Sequence, residues 1–497
     1  MRTVLEQAEH AAPARATSGA RWLERHATPV ALALFAVNLA LVLPRIGVQS
    51  IWFDEAVTLS NAQQPFDAAR YMAADATPPL YPLLVHLWMR VFGVTIESAR
   101  ALSVLASAAS VVLLFELGRR FLGARSGLFA ALLLSCSRCQ LFFALEARAY
   151  ALVVLLCIAS FYVFLALLEA PTRRRVVLLG LLDAALLYTH YVTVFALVAQ
   201  GLAALLVLRR SPATFLAFVA SQAIVVVLVL PLALFVATLW PLPMAGWLAT
   251  PGWRSFPVEL AKLVGSDLLL ALESVLVLGG AAWLARWGGA TPAEWGRLQV
   301  LALWVLAPLL AAFAVSFAVP MFLGRYLIYA APGIFLLVGA VAARLPVTRA
   351  LSATLVVALC ALSLAHAYRE PLVRPGWRDA AVAARDGLRG DGMVIVVPAY
   401  QLLPFAYHFA PRHFADPARL PELLAAERVV GVAHLTDVAP FAASGRDLTV
   451  LFPEAMAPDV PALRAQLATA GYRDAGRRDL PGLVLLRFAH EAGGAAS

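Results

Sequence analysis

Apolar runs of about 20 residues recur along most of the chain, and each is long enough to cross a bilayer. They predict eleven membrane helices, at 28–44, 98–118, 126–145, 147–168, 175–189, 191–208, 213–236, 258–285, 298–318, 322–343 and 350–367. One further apolar stretch, 78–92, is only ~15 residues long and carries His86, Trp88 and Arg90. It predicts an interfacial helix inside a first outer loop at 45–97 rather than a span. Past residue 367 the hydropathy drops. Trp377–Leu388 and 459–470 pattern as helices, while Met393–Val397, Val429–Leu435 and Leu483–Phe488 pattern as strands. The expectation is a small α/β domain over 368–497, with no glycine-rich phosphate loop and no nucleophile motif. Residues 1–27 carry Arg2, Arg15, Arg21 and Arg25 without an apolar core, which predicts a disordered cytoplasmic tail and no cleavable signal peptide. The fold class is thus an all-α polytopic membrane protein of about eleven helices, spanning 28–367, with a C-terminal α/β domain outside the membrane.

Composition agrees and narrows the sidedness. With 62% hydrophobic and 14% charged residues and a mean hydropathy of +0.80, the chain cannot be an ordinary soluble globule. A formal charge of +9 therefore does not call for nucleic acid, because basic residues gather on the cytoplasmic side of membrane proteins. An inside N-terminus puts the four tail arginines, Arg119, Arg120, Arg125, Arg173, Arg174, Arg175, Arg209, Arg210, Arg286, Arg297, Arg344 and Arg349 inside. It leaves Arg45, Arg70, Arg90, Arg100, Arg148, Arg254, Lys262 and Arg325 outside, a two-to-one bias in the right direction. Eleven crossings then put the C-terminal domain outside, at the cytoplasmic (inner) membrane of the cell. Cys136, Cys139, Cys157 and Cys360 all fall within predicted spans, so no disulfide framework or zinc site is indicated.

Chemistry collects at the outer ends of the helices. Asp54 and Glu55 follow the first span, flanked by Trp52 and Phe53. Glu146, Arg148 and Tyr150 join the third and fourth spans, Tyr188, His190 and Tyr191 the fifth and sixth, and Arg325 and Tyr326 the ninth and tenth. Nucleotide sugars and ATP are cytoplasmic, so group transfer at the outer face needs a donor carried on a lipid, and a polyprenyl-phosphate sugar fits. The acceptor hydroxyl needs a base, which Asp54 or Glu55 can supply. The departing lipid phosphate needs cationic stabilisation, which the planar forks of Arg148 and Arg325 provide. Trp52, Tyr150, Tyr188 and Tyr191 are candidates for stacking on sugar. Each has a plainer reading as well: arginines and aromatics anchor helix ends at interfaces, His190 suits a hydrogen-bonded core position, and Glu97 and Arg100 suit a structural frame at the start of the second span.

Taken in order, Phe53-Asp54-Glu55-Ala56, Pro78-Pro79-Leu80-Tyr81, Gly118-Arg119-Arg120-Phe121-Leu122-Gly123, Glu146-Ala147-Arg148-Ala149-Tyr150, Tyr188-Thr189-His190-Tyr191 and Gly324-Arg325-Tyr326 resemble a family. It is that of the bacterial membrane glycosyltransferases related to protein O-mannosyltransferases and lipid A aminoarabinose transferases, of the GT-C fold and glycosyltransferase family 39-like. The resemblance covers about 28–345. It implies Asp54 as the catalytic base and Glu146 as a second acidic residue, with hexosyl or pentosyl transfer to a lipid, glycan or protein acceptor. Two departures stand out: Thr77-Pro78-Pro79 where the family often has His-Pro-Pro, and Cys136-Ser137-Arg138 where it tends to Ser-Pro. No cofactor is called for, and the carboxylates lack a DxD spacing, which leaves a divalent cation open but disfavoured. A flippase of lipid-linked saccharides is the alternative, though it would want its ionisable residues nearer the midplane.

The arginine asymmetry makes a direct prediction. A tag after Ser497 is reached by an outside-only protease and a tag at the N-terminus is not; termini found on one side would make 78–92 a span.

Overall fold

The computed structural model describes residues 18–75, 77–208, 211–238, 248–288, 290–369 and 374–491. Among them, eight helices are long and apolar enough to span a membrane: Ala27–Arg45, Ile96–Leu122, Tyr150–Glu169, Pro212–Thr238, Asp267–Arg286, Pro292–Val315, Gly324–Ala342 and Arg349–Arg369. A ninth results if the bent pair Ala124–Cys136 and Arg138–Ala144 counts as one. This bend, 60° at an extended Ser137, falls within the Cys136-Ser137-Arg138 departure noted above. The predicted spans at 175–189 and 191–208 are the shorter helices Arg173–Thr189 and Tyr191–Val207. The one expected at 258–285 is split into Ser255–Val264 and Asp267–Arg286 by Gly265, whose φ of +121° ends the first helix. Pro79 is followed by a helix at Leu80–Phe92, where an interfacial helix was expected.

The expected tail at 1–27 lies outside the described residues up to residue 17. Ser18–Arg25 is helical, which corrects the expectation of disorder there. Local chemistry accounts for it: Leu23 is buried, Trp22 stacks on His26 with ring centroids 4.4 Å apart, and Glu24 pairs with Arg119.

Helices meet closely where side chains are absent. A Cβ on Gly118 would collide with the backbone of Gly127, and one on Gly339 with Ser126 O at 2.7 Å and Ala130 N at 2.9 Å. Close backbone approach of this kind is how membrane helices gain dispersion contacts when lipid competes for apolar surface. Polar groups add one more clamp. Asp183 is buried and accepts from Ser160 Oγ (2.5 Å), Gln222 Nε2 (3.0 Å) and Gln200 Nε2 (3.4 Å), which ties together four apolar helices.

The C-terminal residues build a five-stranded sheet in the order β2-β1-β3-β5-β4. Its strands are β1 (Met393–Val396), β2 (Val429–Gly431), β3 (Leu448–Pro453), β4 (Tyr472–Leu480) and β5 (Leu483–His490). β1 pairs parallel with β2 and β3, whereas β5 runs antiparallel to β3 and β4. Apolar clusters cover both faces, one around Trp377, Phe405 and Leu424, the other around Leu435, Val460 and Leu463. The sheet therefore follows the mixed α/β expectation and adds two strands. β4 was illegible because Arg473, Asp474, Arg477 and Arg478 leave its sequence without an apolar alternation, as suits an exposed edge.

This domain is seated on the first long loop. Arg378 N and Nη2 donate to Ser50 Oγ (3.1 Å) and Gly47 O (3.0 Å), and Tyr407 Oη accepts from Ile96 N (2.9 Å). Phe414 enters the apolar cluster of Ile51, Ala56 and Leu59. The glycine contacts yield a prediction: Gly127→Leu abolishes the monodisperse peak in detergent size-exclusion chromatography. Gly279→Leu, at a glycine with open space around it, leaves that peak intact.

Candidate active site

The helix Phe53–Gln63 starts after an extended Trp52, and its first turn holds Asp54 and Glu55, where carboxylates complement the helix dipole. Neighbours on an α-helix point about 100° apart, so the two carboxylates diverge. Glu55 turns inward and is fully buried. It takes both forks of Arg100 (2.9 and 2.8 Å) and the Ala147 N–H (2.9 Å), with Arg374 Nη1 3.8 Å away. Burial works to raise its pKa, but Arg374 and Arg100 hold it below the ordinary glutamate value. Glu55, expected beside Asp54 as a catalytic residue, is instead fully buried and held by Arg100 and the Ala147 N–H.

Asp54 turns the other way and stays accessible. Its Oδ2 lies 3.7 Å from Arg325 Nη1, with both side chains 23% exposed. The separation is beyond hydrogen-bond range, so Asp54 lies beside the arginine without a direct hydrogen bond to Nη1. Arg148 reaches Thr58 Oγ1 (3.2 Å) and the Asp54 carbonyl (3.5 Å). The guanidinium of Arg325 lies over the Trp52 and Tyr326 rings at 5.8 and 5.3 Å. Behind it, Tyr326, His190 and Tyr150 form a row, at 5.2 and 6.1 Å between successive rings. His190 Nδ1 accepts from Val192 N (3.3 Å), and burial together with Arg148 and Arg325 pushes its pKa down to about 3, so the imidazole is neutral.

Glu146 is 1% exposed, and neither carboxylate oxygen has a hydrogen-bond partner among the described residues. Burial raises its pKa to about 7; Arg374 and Arg148 oppose the rise, and Glu55 and Asp54 add to it. A buried carboxyl without a partner is costly, and that cost is removed when a ligand pairs with it.

Of the expected site residues, Asp54, Glu146, Arg148, Tyr150, His190, Arg325 and Tyr326 come together. Tyr188 does not: its hydroxyl donates to Leu228 O (2.9 Å), on the helix Pro212–Thr238. Tyr191 is half-buried and, among the described residues, has no ring contact to the cluster. Four contributors were not anticipated as such. Arg100 was read as a frame for the second span, and its role as Glu55's partner was legible only as a guanidinium inside an apolar helix, which demands a carboxylate. Glu259 accepts from Gly324 N and so sets the turn that presents Arg325. Thr58 and Arg374 carried no sequence signal. Among the described residues, no three His, Cys, Asp or Glu side chains group to hold a metal ion.

Residues 76–235 match the family described as dolichyl-phosphate-mannose-protein mannosyltransferase, which is less than half of the chain. No curated protein matches the chain. Among solved structures, ArnT from Cupriavidus metallidurans in the apo state superposes with a TM-score of 0.56 at 13% identity, covering 95% of this chain and 98% of that one. ArnT bound to undecaprenyl phosphate gives 0.54 at 14% identity, over 94% and 98%. The archaeal oligosaccharyltransferase AglB from Archaeoglobus fulgidus, in complex with an inhibitory peptide and a dolichol-phosphate, gives 0.50 at 11% identity, over 91% and 73%. At these identities the likeness is one of fold.

The state of Glu146 has a thermodynamic consequence. A carboxyl with a raised folded-state pKa contributes stability present below its ordinary value of 4.5 and lost as pH rises through about 7. Across that window the Tm of the wild type in detergent falls relative to Glu146→Gln, which has no proton to lose. Parallel Tm–pH curves for the two proteins would refute the assignment.

Proposed function

Starting from a chain with the GT-C fold, we propose a membrane glycosyltransferase that moves a sugar from a polyprenyl-phosphate donor to an acceptor hydroxyl at the outer face of the cytoplasmic membrane. The observation that carries this reading is that Arg148 and Arg325 both lie against the partly exposed Asp54 while the neighbouring Glu55 is locked away. Undecaprenyl phosphate bound to ArnT, and dolichol-phosphate bound to AglB, support a lipid phosphate as the carrier.

In this reading Asp54 accepts the proton of the acceptor hydroxyl as that oxygen bonds to the anomeric carbon. The bond from that carbon to the phosphate oxygen breaks, and polyprenyl phosphate leaves with the electron pair. Arg148 and Arg325 balance the phosphate charge; their forks need no proton transfer to do so. Glu146 pairs with a substrate hydroxyl, which relieves its unpartnered burial. Tyr326, the partly exposed end of the Tyr150–His190–Tyr326 row, offers a ring face to the sugar.

General-base catalysis is worth ~10²–10⁴-fold. Asp54→Asn therefore inserts and binds donor normally but loses that factor in kcat, measured with purified protein and a lipid-linked donor. Arg325→Ala raises KM for the donor, and Arg325→Lys restores it only in part because ammonium lacks the fork. An Asp54→Asn protein within a few-fold of wild type removes Asp54 from the chemistry.

A further inference from the structure

The C-terminal sheet reverses its strand order at one point. β1, β2 and β3 are parallel and follow one another in the chain, yet they lie side by side as β2-β1-β3. The connection from β1 to β2 runs through the helices Leu402–Phe409 and Leu420–Ala426, on the face of Trp377 and Phe405. The chain leaving β3 goes to the other face, where Val460 and Leu463 are buried. The two exits diverge at the carboxyl ends of β1 and β3, and in open α/β sheets such a switch point is the crevice where ligands bind. Both strands run into a proline there, Pro398 and Pro453, which has no N–H to continue the pairing.

This end of the sheet is turned to the membrane helices. Tyr400, two residues past Pro398, meets the Phe53 ring edge to face at 4.9 Å. Leu403 and Tyr407 pack on the cluster of Ile51, Ala56 and Leu59. Phe53 opens the helix whose next residue is Asp54. Gly431, at the end of β2, allows the turn to lie close: a Cβ there would meet Leu402 Cδ1 at 2.6 Å and Ala399 Cα at 3.0 Å.

The side chains at this edge select the ligand. Tyr400 is 54% exposed, and His434 after β2 and Glu454 after β3 are exposed as well. A molecule held there meets an aromatic ring flanked by polar groups. That combination suits a saccharide, which has an apolar CH face and a rim of hydroxyls, and does not suit an acyl chain. A peptide would seek the edge of a sheet, whereas β1 and β3 are both interior strands.

We propose that the crevice at the carboxyl ends of β1 and β3 binds the saccharide part of the acceptor, with Tyr400 as its stacking residue, and brings an acceptor hydroxyl to Asp54. The acceptor role rests on the sugar-transfer reading; the saccharide site does not.

The test uses the full chain in detergent. Saturation-transfer NMR is run with soluble oligosaccharides of glucose, galactose, mannose and N-acetylglucosamine as probes, and with a peptide containing serine and threonine for comparison. At least one oligosaccharide is expected to bind. Tyr400→Ala weakens that binding about tenfold, while Tyr400→Phe, which keeps the ring, stays within about twofold of wild type. If Tyr400→Ala is not monodisperse, Tyr400→Leu takes its place, with the same loss expected. With a polyprenyl-phosphate sugar as donor, Tyr400→Ala raises KM for the bound oligosaccharide and leaves KM for the donor unchanged. Binding that depends on Tyr400 but is followed by no transfer keeps the saccharide site and overturns its acceptor role together with the sugar-transfer reading. No oligosaccharide binding, binding unchanged in Tyr400→Ala, equal losses in Tyr400→Phe and Tyr400→Ala, or binding of the peptide in place of the saccharides overturns the proposal.

Discussion

The guanidinium of Arg100 is the joint on which the site depends. It sits in the first turns of a membrane helix, fully buried, and makes five hydrogen bonds: two to Glu55, and one each to the carbonyls of Ile46, Gln49 and Ser50. That single side chain fastens the chain leaving the first span to the start of the Phe53–Gln63 helix. Glu55 in turn holds the Ala147 N–H, so the Glu146–Tyr150 turn is fixed to the same point. Removing one partner of such a buried pair costs about 3–5 kcal/mol, because the other charge is left stranded. Asp54 is aimed by this arrangement, and at 3.7 Å its carboxylate makes no hydrogen bond to Arg325 Nη1. The rigid carboxylate and the available one are consecutive residues, and only helix geometry separates their duties.

Much of the site was legible because the bilayer makes polar residues conspicuous. Asp54, Glu146, Arg148 and Arg325 stand out at helix ends where apolar sequence resumes at once, and the structure gathers them. Two kinds of feature were hidden. Adjacent acids in a loop have no assigned directions, so Asp54 and Glu55 were interchangeable until a helix was known to start at Phe53. Contacts between distant segments were hidden as well: Arg374 reaching Leu145, or Glu259 holding Gly324, leave no periodicity to read. Tyr188 shows the converse error, since sequence neighbours of a true site residue can face away along the helix.

The fold was read through its apolar content, and its irregularities escaped for the same reason. A hydropathy run does not reveal that Ser137 is extended or that Gly265 ends a helix. Both breaks lie among uniformly apolar neighbours. Asp183 was likewise absorbed into a predicted span, although a buried carboxylate in a membrane helix demands the partners it finds in Ser160, Gln200 and Gln222.

Arg374 follows every membrane helix in the chain order, yet it lies beside Glu55 and Glu146 and clamps the turn between them. During synthesis the helical bundle therefore emerges and inserts before the charge that completes its most buried carboxylate pair. A polypeptide interrupted after its last membrane helix would hold Asp54 and Arg325 but an unfinished electrostatic core.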